Sequence, residues 1–438
     1  MTAPVTSVGD CSLIPDLLGA SRPAGWAELR KAAESALQYQ DLPTTKDEDW
    51  KYADLRDLKA LTFVPGQPET LDIKGSILPE ARGTRLVFVN GHYDPHHSCT
   101  SALPQGVRLL HLASASEAAT QLGSLLKPDD ADIFANLNSA RFLDGAYIFV
   151  PKNVKVETPL HLLFMSHSND AATNPAISQP RIIVIVEPGA ELELIEEYAG
   201  NGTYFTNSCV EIFVGENAEL RHERIQRESV GAFHVSNLRA KISRNARYHS
   251  RTITFGAKFS RQTPQISIQG TGADVILDGL ALLNGTQLAD THSILDHTQP
   301  DCASHQLHKA IVDDEARAVF NGRIFVRRGA HGTDARQQSR NLLLSEKARV
   351  NTKPQLEIDT DDVKCAHGAA VGQLDPEELF YLQSRGLNDQ AARNLLTYGF
   401  AADLLAHIPV TSLRRQLRQA VMERTNATDL ASDLGEMA

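Results

Sequence analysis

The chain has 438 residues, with 43 lysines and arginines against 54 aspartates and glutamates, and its formal net charge at pH 7 is −11. This balance disfavours a nucleic-acid-binding surface, which needs a basic stripe, and no polybasic segment is present that would bind an anionic membrane. The five cysteines are scattered and odd in number, which favours a reducing compartment over a disulfide framework.

The N-terminal sequence and the hydropathy predict a cytoplasmic protein. Residues 1–20 have neither a basic n-region nor a sustained apolar h-region, so we predict no signal peptide. No run approaches the roughly 20 apolar residues that a helix needs to span a bilayer. The length predicts a large core and more than one structural unit.

Residues 1–143 are predicted to form a mixed, partly helical N-terminal region with a hairpin. Apolar residues recur at helical spacing between residues 26 and 37. Residues 85–90 and 107–112 have the composition of strands and flank a turn-rich loop. Residues 114–126 predict a further helix that starts near a serine N-cap.

Residues 144–374 have strand patterns throughout and contain a repeat. Four segments share the form x-[Gly/Asn]-Ala-x-apolar, and their alanines step by 28, 28 and 27 residues: Ala190, Ala218, Ala246 and Ala273. Glycine and asparagine tolerate positive φ, so each segment predicts a tight turn before a strand. Glu315-Ala316-Arg317 and Lys347-Ala348-Arg349-Val350 look like weaker copies. The steady period favours a parallel β-helix over a β-sandwich with regular turns.

Residues 375–438 are predicted to be helical. Asp375-Pro376-Glu377-Glu378 has an N-cap acid, a proline at the first helical position and carboxylates in the first turn. Asn388 is the predicted cap of a second helix, and Ser412 of a third helix with a basic face. We expect flanking helical regions to cover the strand edges at the ends of the coil.

Cys365 and His367 are the candidate metal ligands. If the chain is extended here, both side chains lie on one face of a strand, and Lys364 lies on the other. A thiol and an imidazole at this spacing can reach one metal ion, but they supply only two of the roughly four ligands that a soft metal wants. Any metal site is therefore incomplete within this motif. The alternative is a small buried cysteine beside a surface histidine.

Two other groups contain metal-ligating residue types. The denser group has seven members: Asp290, His292, Asp296, His297, Cys302, His305 and His308. The spacing of its cysteine and last two histidines does not put all three on one strand face, so we favour histidines exposed on a polar β face. A loop upstream holds four more: His92, His96, His97 and Cys99. We interpret it as a solvated loop, with metal binding as the alternative.

The sequence lacks the motifs of familiar self-sufficient catalysts. GxxxxGK[ST], GxSxG, HExxH and CxxC are all absent, which argues against an independent enzyme and against ATP binding by a P-loop. An alternative function is that of a stand-alone carbohydrate-active β-helical enzyme, which uses clustered carboxylates as acid and base. Its candidate acids lie in the runs 313–315 and 359–362. Because neither run puts three acids on one strand face, we interpret both as turns.

Several motifs together resemble a known family. The most specific are Phe320-Asn321-Gly322, residues 341–345, residues 351–358 and Cys365-x-His367-Gly368-Ala369. With an N-terminal motif at residues 46–52, they resemble the SufB/SufD family of iron–sulfur cluster assembly proteins from about residue 43 to 405. The chain is more similar to the SufD branch, because it is shorter than usual for SufB and lacks the Cys-rich N-terminal motif.

The resemblance implies a right-handed parallel β-helix between N- and C-terminal helical parts. It also implies a complex in which a SufB-like paralogue pairs through the β-helix, while residues 388–408 match the region that binds the ATPase SufC. ATP hydrolysis would belong to SufC, and this chain would bind no nucleotide. Cys365 and His367 match family residues at the SufB interface, where a transient iron–sulfur cluster or iron would be shared. A homodimer that holds a cluster by itself is a third alternative.

Overall fold

The computed structural model describes residues 26–168 and 175–425. Cys11 and the end of the predicted C-terminal region lie outside this range. The described residues contain six α-helices: α1 (Ala27–Leu37), α2 (Arg56–Lys59), α3 (Ile133–Arg141), α4 (Pro376–Ser384), α5 (Asp389–Ala406) and α6 (Thr411–Arg424). None of these helices is both long and apolar enough to cross a membrane.

The same residues contain 21 strands. They are β1 (Val64–Pro65), β2 (Arg85–Val89), β3 (His92–Tyr93), β4 (Arg108–His111), β5 (Gly145–Val150), β6 (Leu160–His167), β7 (Ala176–Ser178), β8 (Arg181–Val186), β9 (Glu191–Asn201), β10 (Tyr204–Val214), β11 (Glu219–Arg227), β12 (Phe233–Ile242), β13 (Arg247–Thr254), β14 (Phe259–Ile268), β15 (Asp274–Leu283), β16 (Leu288–His297), β17 (Ala303–Val312), β18 (Arg317–Val326), β19 (Thr333–Leu343), β20 (Arg349–Ile358) and β21 (Val363–Gly372).

The strands coil into a parallel solenoid with two sheets. Sheet A has the order β20-β18-β16-β14-β12-β10-β8-β5-β4, with β1 and β7 beside this path. Sheet B has the order β21-β19-β17-β15-β13-β11-β9-β6-β2-β3. From β8 and β9 onward, each turn adds one strand to each sheet, which gives about seven turns. The predicted mainly β fold with a parallel coil is thereby confirmed, and the sandwich alternative is wrong.

The turn predicted from the repeat lies at the corner where the chain passes from sheet A to sheet B. The residues before the four repeat alanines have left-handed φ values: Gly189 (71°), Asn217 (56°), Asn245 (52°) and Gly272 (70°). All four alanines are buried, because the tight corner leaves room for little more than a methyl group. The positive φ requires Gly or Asn, and the lack of space requires Ala, so together they produce the Gly/Asn-Ala pattern of the repeat.

The two weaker copies of the repeat lie elsewhere. Ala316 and Ala348 precede β18 and β20, so they occupy the opposite corner, where the chain enters sheet A. The next copy of the original corner is Asp301-Cys302, in which Asp301 has a φ of 59°. Cys302 is buried there, and its Sγ–H lies 3.2 Å from the carbonyl of Gly270 and 3.3 Å from that of Pro300. Cysteine takes the place of the alanine, so a simple alanine pattern misses this corner.

The strands predicted at residues 85–90 and 107–112 exist, but they lie in different sheets. β2 pairs in parallel with β6 and antiparallel with β3, whereas β4 pairs antiparallel with β5. The hairpin is therefore β2–β3, and it turns at Asn90 and Gly91, whose φ values are 51° and 82°.

The helix predicted at residues 114–126 is wrong. Two short 3₁₀ segments occupy Leu112–Ser114 and Ser116–Thr120. The backbone N–H groups of Gly123 and Leu125 then donate to the buried carboxylate of Glu211, at 2.8 Å each. A helix would use those donors internally, so the distant carboxylate competes with it. Conversely, α3 lacks an amphipathic pattern because nearly all of it is buried.

Two of the three predicted C-terminal caps are confirmed. Asp375 accepts a hydrogen bond from the N–H of Glu377, and Asn388 from that of Ala391. The third is wrong, because Ser412 lies inside the first turn of α6. Its N–H and Oγ–H both donate to the carboxylate of Glu80, at 2.9 and 2.5 Å, so an acid from the N-terminal region caps this helix.

The C-terminal helices cover a sheet face and leave the last strand edges open. α5 and α6 pack Leu404 and Leu413 against apolar residues on the outer face of sheet B, among them Ile225 and Ile253. Lys309 of β17 adds an ion pair of 2.7 Å with Asp403 of α5. The prediction that these helices cover the C-terminal edges of the coil is therefore wrong.

Candidate functional site

The coil ends in two strand edges that have no partner within the described part of the chain. β20 pairs only with β18, and β21 only with β19. Every residue of β21 is exposed or half-buried, although the matching positions of β19 largely alternate between buried and exposed or half-buried. An unpaired edge of this kind is a template for another chain. We call the outer edges of β20 and β21 the open end of the coil.

Cys365 and His367 lie on β21 and both point into the coil. Val363 and Cys365 pack against the inner core, and strand alternation puts His367 on the same side. Cys365 pairs with the buried Ala335, and His367 with the buried Gln337, both on β19. His367 is exposed because no further turn of the coil covers it. This is the shared face that the sequence pattern predicts.

The free thiol of Cys365 favours its protonated form. Burial raises its pKa, the backbone amide of Ala335 opposes this effect, and the carboxylate of Asp334 adds to it. Lys364 points to the opposite strand face and is not among the groups that affect this pKa, so it supplies no activation. A metal ion that binds the sulfur must therefore displace a proton.

The donor set is one sulfur and one imidazole nitrogen, which suits a soft or borderline metal such as iron or zinc. In residues 26–168 and 175–425, no group of three or more His, Cys, Asp or Glu side chains is placed to hold a metal ion. The described chain therefore offers two ligands at an edge that another chain can reach.

The denser group of histidines and acids does not form a single site. Asp290 is buried on the outer side of sheet A, where it contacts Arg261 at 2.5 Å and His292 at 3.0 Å. His297 is buried, and its Nε2 lies 2.8 Å from the Oγ of Ser304. His308 is half-buried, and its ring stacks on that of Phe320 with the ring centroids 4.2 Å apart. Burial lowers the pKa of His297 to about 4 and that of His308 to about 3. The expectation of exposed histidines is wrong for these two, which fill the coil as neutral rings.

The upstream loop is built into the fold. The Nε2 of His92 lies 2.8 Å from the carbonyl of Gly66, and the Nδ1 of His97 lies 2.6 Å from Asp94. The backbone of Cys99 exchanges two hydrogen bonds of 2.8 Å with Arg85. The side-chain contacts of His92 and His97 account for these two histidines without a metal.

The two acidic runs occupy turns, as the sequence predicts. Asp314 has a φ of 50° and lies in the corner that follows β17, whereas Asp361 lies in the loop after β20. The first corner leads from sheet B to sheet A and the second from sheet A to sheet B, so the runs lie at opposite corners. A catalytic carboxylate pair drawn from both runs is thereby excluded.

Sequence reasoning missed the polar side chains that line the coil beneath Cys365 and His367. Gln306 and Gln337 are buried, and the Nε2 of Gln337 donates to the Oε1 of Gln306 at 3.3 Å. The strand register puts both glutamines in one row with His367. Sequence analysis could have found this row by aligning each turn of the coil with the next and noting which residues fall at the same position.

Two family models match consecutive parts of the chain. The model described as "SufBD protein N-terminal region" matches residues 16–162. The model described as "SUF system FeS cluster assembly, SufBD core domain" matches residues 166–400, which include Cys365 and His367.

Individual relatives agree with these matches. An iron–sulfur cluster assembly SufBD family protein of Synechocystis sp. is 40% identical over 412 residues, which cover 90% of each chain. The iron–sulfur cluster assembly protein SufD of Escherichia coli is 32% identical, with 87% of this chain and 89% of the relative covered. The SufD protein of Bacillus subtilis is 30% identical, with 68% of each chain covered.

Proposed function

Because the chain belongs to the SufBD family of iron–sulfur cluster assembly proteins, we propose that it is the SufD-like scaffold subunit of a cytoplasmic assembly complex. Its partners are a SufB-like paralogue and a SufC-like ATPase. The chain itself is a non-catalytic subunit that binds no nucleotide, and ATP hydrolysis belongs to the SufC-like partner. The complex assembles clusters and passes them to apo-proteins.

The observation that carries this proposal is the position of Cys365 and His367 at the open end of the coil. A SufB-like chain that pairs with the edges of β20 and β21 would bring its own side chains next to this thiol and imidazole. Iron or a nascent cluster, which is the cargo of the complex, would then complete its ligand set from both chains. A site shared in this way needs only two ligands from this chain.

The C-terminal helical unit is the proposed surface for the SufC-like ATPase. α5 buries one side against sheet B, which leaves its other side and α4 available to a partner. α4 exposes two large aromatic residues, Phe380 at 72% and Tyr381 at 56%. Exposed aromatic residues that lie together are typical of protein interfaces.

Substitution of the two ligands tests the proposal directly. We expect Cys365→Ala and His367→Ala to fold and to bind both partners, because Cys365 is only half-buried in the last strand and His367 is exposed. Both variants should lower the activity of an iron–sulfur reporter enzyme in cells that depend on this system. Lys364→Ala and Ala366→Ser alter the outward face of the same strand and serve as controls. Normal maturation of the reporter in both ligand variants would contradict the proposal.

The homodimer alternative predicts a different result for the isolated chain. The open edges could also pair with a second copy, which would bring two Cys365/His367 pairs together. The isolated chain can be purified without oxygen and its bound iron and sulfide measured. This measurement distinguishes a SufD-like subunit from a homodimer that holds a cluster. We expect only traces of both elements, whereas a full cluster per dimer would favour the homodimer.

A further inference from the structure

A row of polar side chains runs along sheet B from the inside of the coil to its open end. Gln306, Gln337 and His367 pair in register on β17, β19 and β21. The two glutamines are 3% and 0% exposed, whereas His367 is exposed. Paired residues of parallel strands point the same way and lie about 4.8 Å apart, so His367 is the next residue after Gln337 in this row.

The nitrogen of this amide is held on the side away from His367. It donates to the Oε1 of Gln306 at 3.3 Å, and that oxygen also accepts from the Oγ of Ser293 at 2.9 Å. The same nitrogen lies against Gly322 on the opposite sheet, where a Cβ atom would stand only 2.1 Å from it. Because Gly322 has no side chain, the amide of Gln337 fits into the space next to it.

The oxygen of the amide lacks a contact. The Oε1 of Gln337 is buried and has no hydrogen-bond partner in the described part of the chain. A buried acceptor without a donor is destabilising, and such groups are rare unless something else uses them. The nitrogen is bound to Gln306 in the preceding turn, and the residue paired with Gln337 in the following turn is His367.

We propose that Gln337 is a positioning residue for His367. In a neutral imidazole one nitrogen donates a hydrogen bond and the other accepts one. The two side chains are not hydrogen-bonded in the structure, but the ring of His367 is exposed and can turn towards Gln337. In the proposed arrangement the ring N–H donates to the Oε1 of Gln337, which fixes the tautomer and leaves the other nitrogen unprotonated and directed out of the coil. Histidines that bind metals usually make such a second contact. The role of the outward nitrogen in holding iron rests on the proposed function, whereas the hydrogen bond does not.

Nitrogen-15 NMR of the histidine-labelled full-length chain, at a pH where His367 is neutral, tests the hydrogen bond. Loss of a signal in His367→Gln assigns the resonance. We expect a single tautomer in the wild type and in Gln337→Glu, which keeps an acceptor oxygen. Gln337→Met keeps the length of the side chain without the acceptor, so it should give a tautomer mixture. Gln338→Met, on the exposed outward face, is the matched control. An unchanged tautomer in a folded Gln337→Met variant would overturn the inference.

Reporter maturation in cells separates this inference from the proposed function. Loss of the second contact should lower maturation by about tenfold in Gln337→Met, the usual effect of such a change at a metal site. If His367→Ala lowers maturation and Gln337→Met changes neither the tautomer nor maturation, the inference fails and the proposed function stands. If Gln337→Met changes the tautomer but the reporter matures normally in cells with either Gln337→Met or His367→Ala, the hydrogen bond stands and the proposed function fails.

Discussion

Several charged side chains are buried between sheet B and the C-terminal helices, and Glu223 is the clearest case. Burial raises its pKa to about 7, against the opposing effect of Arg251, and the carboxylates of Glu193 and Asp278 add to the rise. One oxygen of Glu223 accepts from Arg251 at 2.8 Å, while the other is buried without a partner in the described chain. Asp403 of α5 and His407, which follows that helix, act on the neighbouring Asp278.

This buried acid makes the stability of the chain depend on pH. Its pKa in the folded state, about 7, lies above the ordinary value of 4.5, so folding favours the protonated form. Its contribution to stability therefore falls as pH rises from about 4.5 to about 7 and is constant above that. The size of the effect is about 3 kcal/mol.

We predict that Glu223→Gln is as stable as the wild type at pH 5 and more stable at pH 8, by up to about 3 kcal/mol. The amide keeps an acceptor for Arg251 but carries no charge to desolvate. Denaturant unfolding at the two pH values measures the difference, and Glu216→Gln, at an exposed corner position, is the control. The same difference from the wild type at both pH values would contradict the assignment.

Residue-level prediction from sequence succeeded where strand alternation was sufficient. Alternation puts Cys365 and His367 on one face, because that depends only on local geometry. It could not show that Glu223 and Gln337 are buried, because a polar residue in a strand has the same pattern whether or not its face is covered.

At the scale of elements, the contact between Glu80 and α6 joins the N-terminal region to the C-terminal helices. Glu80 lies just before β2, and its carboxylate supplies the cap that the sequence of α6 lacks. Sequence analysis placed a helix here correctly but chose a local serine as the cap. A capping group more than 300 residues away leaves no local signal, so this error was unavoidable.

We predict that Glu80→Ala destabilises the chain by about 1 kcal/mol, the usual cost of a lost cap. It should also speed hydrogen exchange in the first turn of α6, because the N–H of Ser412 loses its acceptor. Glu80→Gln keeps an acceptor oxygen and should show a smaller effect in both measurements. Equal exchange rates in the wild type and in Glu80→Ala would show that this contact does not hold the helix.

On the scale of the whole molecule, both sheets are covered on their outer faces while the C-terminal end of the coil is left open. The helices cover sheet B, and the segment around Trp50 covers sheet A through Arg261, whose guanidinium lies 3.9 Å from the Trp50 ring centroid. Two ion pairs, Lys353–Glu48 at 2.5 Å and Arg323–Asp49 at 3.0 Å, hold that segment close to the last turns. The open end therefore keeps two unpaired strand edges, those of β20 and β21, for a partner strand.

The repeat was sufficient to predict the coil, because every corner imposes the same demands for positive φ and a small side chain. The surfaces that the flanking regions cover were not predictable in this way. An amphipathic helix such as α5 has the same pattern whether it packs on a sheet face or over a strand edge.

The central claim is that this chain supplies half of a shared iron site. The most direct test is the iron content of the complex that the chain forms with its SufB-like and SufC-like partners. The complex is purified without oxygen, and its intact mass is measured to establish its composition. The account predicts that a Cys365→Ala/His367→Ala double variant forms a complex of the same composition with much less iron and sulfide. An intact complex with undiminished iron and sulfide would contradict it.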